Sequence, residues 1–222
     1  QRLRANIFQQ RQGVSVAFRL ISANCPVLEE LDAPQIINQL IEQENGLILV
    51  TGATGSGKST TLNAMVNAMN QQQARHIIML ENPIELIHNS KLCLIQQREL
   101  GGHTHSFSSA LSGALRQDPD IILQGEIRDK ETIRLALTAA ETGHLVLATL
   151  HTRTATQAVD RLVDVFPAVE KMVIQAQLAA SLRCVIAQKL CSKVGGGRIA
   201  IFVVLTQTTA ASHLIREGKT YQ

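Results

Sequence analysis

Residues 52–60 read GATGSGKST and comprise Gly52, Ala53, Thr54, Gly55, Ser56, Gly57, Lys58, Ser59 and Thr60; residues 52–59 satisfy G-x-x-x-x-G-K-S in full. A loop of this composition turns its backbone N–H groups toward phosphate oxygens, and its glycines allow the close approach. Lys58 would neutralise β and γ oxygens, and Ser59 would set its hydroxyl on Mg²⁺. Many unrelated chemistries share such a loop, so what it drives must be read from other residues.

Nucleotide hydrolysis also needs carboxylates to organise the metal and the attacking water. Glu126 is the leading candidate, because PDIILQGE closes an apolar run on that acid. A strand there would deliver it to the carboxyl edge of a sheet, where ligands sit in open α/β folds. Ser59 and Glu126 are thus the expected metal residues. LENPIE follows another apolar run and offers Glu81 and Glu85 at the same edge, with a surface turn around Pro83 as the competing reading. LATLHT sets His151 directly after a third run, in reach of a γ-phosphate or its neighbours. A lone histidine is more often structural. Gln124 is polar within an apolar run and is expected to face a polar groove.

The elements that must position these residues follow from composition and spacing. The chain has 222 residues, 45% of them apolar but only 3% aromatic, so its interior must be aliphatic, as in parallel strands covered by helices on both faces. LILV, ahead of the loop, and LNAMVNAM, after it, supply the strand and helix that a phosphate loop requires. Further strands are expected at 76–80, 121–124, 144–150 and 198–205. Helices are expected at 34–44, 108–116, 130–141, 156–165 and, as one long element, 169–190. The alternation is that of crossover-connected parallel strands. Residues 2–20 read as a hairpin turning at 11–13. A lone hairpin is marginal, which makes it the end of a larger sheet domain. Residues 23–33 form a linker bracketed by Pro26 and Pro34, with the domain boundary near Ser22. The chain also begins inside a strand-like alternation, which suggests upstream sequence.

The net charge of +3 is small and scattered, so no nucleic-acid partner is expected. Cys25, Cys93, Cys184 and Cys191 form no C-x-x-C pair, and are expected to be buried thiols in a reducing compartment. No apolar run reaches the roughly 20 residues of a membrane span, and nothing resembles a signal peptide.

Four ordered segments, GATGSGKSTT, ENPIE, LRQDPDIILQGEIRD and TGHLVLATLHT, together resemble the Walker A, aspartate box, Walker B and histidine box of the secretion ATPases of type IV pilus and type II secretion machines. IRLALTAAETGH, IQQRELG and LIREGKTYQ also read as segments of that family, so the resemblance covers nearly the whole chain. It is closest to the pilus-retraction, PilT-like branch and, within that, to enterobacterial paralogues of the YggR type. The lack of paired cysteines favours that branch over relatives with a four-cysteine zinc element.

The resemblance implies a RecA-like P-loop ATPase core at 34–222 and a PAS-like α+β domain of which 1–22 is the C-terminal remnant. It implies ATP and Mg²⁺ as cofactors and a homo-hexamer that is cytoplasmic, peripheral at the inner membrane and acting on a pilus platform protein there. Glu126 would polarise the attacking water, Glu81 and Glu85 would assist, and His151 would sense or stabilise the nucleotide. Arg4, Arg11 and Arg19 would act as arginine fingers. Asn82 stands where the family usually has Asp, Gln124 where an apolar residue is usual, and AASHLIREGK replaces the retraction branch's more typical C-terminal segment. The alternatives are a type II secretion or conjugation-type traffic ATPase, and a weakly active ATP-binding regulatory subunit.

Overall fold

The structure is a computed structural model, and it describes residues 2–21 and 25–221. The expected boundary near Ser22 lies outside the described residues. Strands β1 (Arg2–Gln10) and β2 (Gly13–Ile21) pair antiparallel, with Arg2 opposite Ile21 and Gln10 opposite Gly13. This is the expected hairpin. Alternation sorts it into two faces: Leu3, Ile7, Val14, Val16, Phe18 and Leu20 share one face and all are exposed, while Arg4 and Arg19 share the other.

The remaining strands are β3 (Gly46–Thr51), β4 (His76–Glu81), β5 (Leu94–Glu99), β6 (Ile121–Gln124), β7 (Leu145–Leu150), β8 (Leu182–Ser192) and β9 (Arg198–Thr206). They form one sheet in the order β5-β4-β6-β7-β3-β8-β9, parallel throughout except for the β8–β9 pair. The helices are α1 (Ile36–Leu40), α2 (Lys58–Gln72), α3 (Phe107–Ala114), α4 (Lys130–Glu141), α5 (Ala155–Asp164), α6 (Ala168–Ser181) and α7 (Thr209–Glu217).

Central strands covered on both faces should be apolar at every position, and β3 and β7 are buried along their full length. Alternate residues serve two cores. Leu47, Leu49, Ile122, Val146 and Ala148 pack with α3, α4, α5 and α6, whereas Ile48, Val50, Leu123, Leu145 and Leu147 pack with α1 and α2. The α/β expectation of a mostly parallel sheet flanked by helices therefore holds.

Several expectations need correction. The helix expected at 169–190 ends at Ser181, and β8 follows. Apolar runs of this length do not declare a period; here Cys184 and Ile186 serve one core and Val185 the other, an alternation that only pairing with β3 and β9 makes visible. β5 was not expected, since LIQQRE carries few apolar residues, as suits an edge strand. The helix expected at 34–44 is only the short α1, and α7 is an additional C-terminal helix. Leu28, in the stretch expected to be a linker, is buried in the core under α1 and α2. All four cysteines are free; Cys93 and Cys184 are buried, while Cys25 and Cys191 are only partly so. Burial pushes the Cys184 thiol up to about 12.

Leu147, on the strand at the centre of the sheet, is fully buried. Leu147→Ala is expected to destabilise the protein by about 2–5 kcal/mol through lost burial and the cavity left behind. Urea unfolding should show a lower midpoint, while Ile201→Ala on the exposed side of β9 should change it little.

Candidate active site

The strand order decides which loops meet. β7 lies between β3 and β6, and the register pairs Thr51 with Leu150 and Gln124 with Ala148, so the three strands end side by side. The phosphate loop leaves β3, Glu126 follows β6, and His151 follows β7 between them. The lysine Nζ lies 3.4 Å from His151 Nδ1, and His151 Nε2 lies 2.8 Å from Glu126 Oε1. An ammonium can only donate. Nδ1 of His151 must therefore accept from Lys58, and the ring proton sits on Nε2, donated to the carboxylate. Arg128 pairs with the same oxygen, Glu126 Oε1.

Lys58 is buried, and its Nζ donates to the carbonyls of Gly52 at 2.9 Å and Ala53 at 3.0 Å. Burial holds its pKa below the ordinary lysine value, with attraction to Glu126 acting in the opposite sense. α2 starts at this lysine, Gly57 before it is left-handed, and no side chain caps the helix start. The first-turn amides therefore remain open to an anion, aligned with the positive end of the helix dipole. Ser59 and Thr60 are exposed in that first turn, as are Ala53, Thr54 and Gly55 in the loop; Ser56 is buried. Beneath the loop lies Gln188 of β8, which sequence reading missed. Its Oε1 accepts from Thr61 Oγ1 at 2.8 Å, which turns its amide nitrogen toward Gly57. Only glycine fits above it: a Cβ on Gly52 would lie 2.3 Å from the Gln188 carbonyl oxygen.

Glu126 is held from three sides. The Gly125 N–H donates to the Leu80 carbonyl at 2.7 Å, Thr149 Oγ1 of β7 donates to the Gly125 carbonyl at 2.5 Å, and the Ile127 N–H donates to Thr149 O at 3.1 Å. Gln124 does not face a polar groove. It is fully buried, and its Nε2 donates to the Glu126 carbonyl at 3.1 Å, so the odd glutamine bears on the turn that aims the acid.

Glu81 is buried at the end of β4, where Gln97 Nε2 donates to its Oε1 at 2.9 Å. Glu85 is half-buried on the loop beyond. Arg4, Arg11 and Arg19 are exposed on the hairpin, and among the described residues no hydrogen bond or ion pair joins them to Lys58, His151 or Glu126. Among the described residues no three His, Cys, Asp or Glu side chains are grouped to hold a metal alone. One hydroxyl and one carboxylate beside a phosphate cradle suit Mg²⁺, which is usually held by few protein ligands together with substrate phosphates.

Residues 3–218 match the family described as Type II/IV secretion system protein. The chain belongs to that family. It is 61% identical over its whole length to the uncharacterized protein YggR of Escherichia coli K12, covering 68% of that protein. It is 52% identical, again along its whole length, to the type IV pilus retraction ATPase PilT of Pseudomonas aeruginosa, covering 64% of it. Among solved structures, the pilus retraction motor PilT with bound ADP superposes with a TM-score of 0.95 at 46% identity, covering 99% of this chain and 64% of that one. The chain thus spans about two thirds of the length of these relatives. The resemblance read from the four sequence segments is borne out.

Gly52→Ala must displace either the loop or β8, since the clash is with backbone. Overpacking of this kind costs about 1–3 kcal/mol. ADP affinity measured by calorimetry is therefore expected to fall about tenfold or more, with β3 and α2 still folded by circular dichroism.

Proposed function

We propose that the chain is the motor domain of an ATPase that hydrolyses ATP with Mg²⁺. The observation that carries this reading is the Lys58–His151–Glu126 contact chain beside the uncapped start of α2. Lys58 would exchange its loop carbonyls for phosphate oxygens, and Ser59 and Glu126 would hold Mg²⁺, which supplies charge neutralisation at the phosphates. The His151 and Arg128 contacts both fall on Glu126 Oε1, leaving Oε2 to take a proton from the attacking water. Catalysis is then mainly positioning and charge stabilisation.

The work done is type IV pilus retraction or a twitching-type motion, by a homo-hexamer that is cytoplasmic, peripheral at the inner membrane and acts on a platform protein there. The likeness to PilT supports this reading over type II secretion or conjugation traffic. No described helix is long and apolar enough to cross a membrane. Residues 34–222 form the RecA-like core, 23–33 the linker, and 1–22 the end of a PAS-like domain. The exposed apolar face of the hairpin supports that last assignment, because a sheet face of this kind needs a covering layer. Arg4 lies directly opposite Arg19. Like charges so placed are unfavourable unless an anion lies between them, which supports these arginines, with Arg11 at the turn, as donors to a nucleotide across an interface. A second reading, a weakly active ATP-binding subunit, is favoured by Asn82, whose amide lacks the charge of the family's usual aspartate.

Lys58→Ala is expected to abolish ATP binding. Glu126→Gln should bind ATP within a few-fold of the unmodified protein yet turn it over roughly a hundredfold more slowly or worse. Nucleotide titration and steady-state phosphate release read the two effects separately. Wild-type hydrolysis by Lys58→Ala would overturn the ATPase reading, and turnover absent from the unmodified protein would favour the weakly active subunit.

Arg19→Ala should keep ATP binding and lose turnover, and specific activity should rise with protein concentration as sedimentation shows hexamers forming. Flat specific activity in a monomer would contradict the hexameric motor.

A further inference from the structure

A second polar chain runs from the first turn of α2 to the end of β4. Asn63 of α2 is buried, and its Nδ2 donates to the Ser59 carbonyl one turn earlier at 2.8 Å. That contact fixes the amide, so Oδ1 is the atom facing His88 Nε2 at 2.6 Å. Nε2 must then carry the imidazole proton. Burial holds the His88 pKa below the ordinary histidine value, which keeps the ring neutral. The backbone N–H of His88 donates to Gln97 Oε1 at 2.8 Å, which fixes this amide too. Gln97 Nε2 then faces two acceptors, Glu81 Oε1 at 2.9 Å and the Leu86 carbonyl at 2.8 Å. Every donor along the line meets an acceptor, and each amide has one permitted orientation.

We infer that His88 and Gln97 are positioning residues that lock Glu81 and the 82–90 loop to the phosphate-binding turn at Ser59. The chain runs Ser59–Asn63–His88–Gln97–Glu81 and joins the two ends of the site across four separate elements, α2, the 82–90 loop, β5 and β4. A neutral imidazole is suited to the central link, because it spans the gap with one donor and adds no charge to a half-buried site. The inference rests on the nucleotide-binding reading and deepens it: occupancy at the first turn of α2 is transmitted to Glu81 at the end of β4 and to the 82–90 loop that carries Glu85.

Hydrogen exchange by mass spectrometry and turnover together test it, on the unmodified protein and on His88→Leu, His88→Gln and Gln97→Met. Adding ADP with Mg²⁺ should slow amide exchange in residues 82–90 of the unmodified protein. His88→Leu should lose that protection and about tenfold in turnover while binding ADP normally. In His88→Gln, whose amide can supply the donor of Nε2, both should return in large part. Gln97→Met should resemble His88→Leu, and the double substitution should lose no more than the worse single one, because both cut one line. Should His88→Leu fail to fold, the comparison of Gln97→Met with His88→Gln decides. Retained protection and turnover in the folded broken-chain variants, a glutamine at 88 that rescues nothing, or additive losses would overturn the inference. If ADP binds normally in that case, the inference alone falls; if the unmodified protein binds no ADP, the nucleotide reading falls with it.

Discussion

The structure depends on one placement, β7 between β3 and β6. Parallel strands in register end at one edge, and the residue that follows the middle strand must emerge between the loops of its neighbours. His151 therefore stands between the phosphate-loop lysine and Glu126, and its two nitrogens meet one of each. The same placement explains Thr149, which reaches sideways from β7 to hold the turn before Glu126. A strand order that set β3 beside β6 would join lysine and carboxylate directly and leave no station for an imidazole.

Such a geometry needs a rigid base, and the two aliphatic cores supply it. Because β3 and β7 are buried on both faces, neither can slip in register without turning a full set of apolar side chains into the wrong core. The polar exceptions in this interior are informative. Gln188, Gln124, Asn63 and Thr61 are all buried, and each bonds to a segment next to the phosphate loop or to Glu126. Burying an amide is unfavourable unless it is paired, so these residues specify local shape at some cost to packing. Gln124 shows the limit of that pattern, since its Oε1 has no partner among the described residues.

Most of the site was legible in the sequence because its parts are local. The glycine pattern, an acid after an apolar run and a histidine after another each need only a strand and its next residues to be recognised. The hairpin and the central strands were legible for the same reason. What was hidden depends on pairing across the chain. β8 hides in an apolar run continuous with α6, and with it Gln188. β5 hides because an edge strand needs few apolar residues, and with it Gln97. His151 could be suspected from its position, but its two partners followed only from the strand order. Gln124 was visible as an anomaly, yet its direction was misread: a polar residue inside a strand suggested a groove, whereas it turns inward to a carbonyl two residues along.

The most direct test of this account is the protonation state of His151 in solution. Nitrogen-15 NMR of the histidine side chains, assigned with a His151→Asn variant, reports which ring nitrogen carries the proton. The account expects a neutral ring protonated on Nε2, with its signals moving when Glu126 is replaced by Gln and again when Lys58 is replaced by Met, since each removes one partner. A ring protonated on Nδ1, or signals indifferent to both replacements, would contradict the bridge between lysine and acid that the strand order imposes.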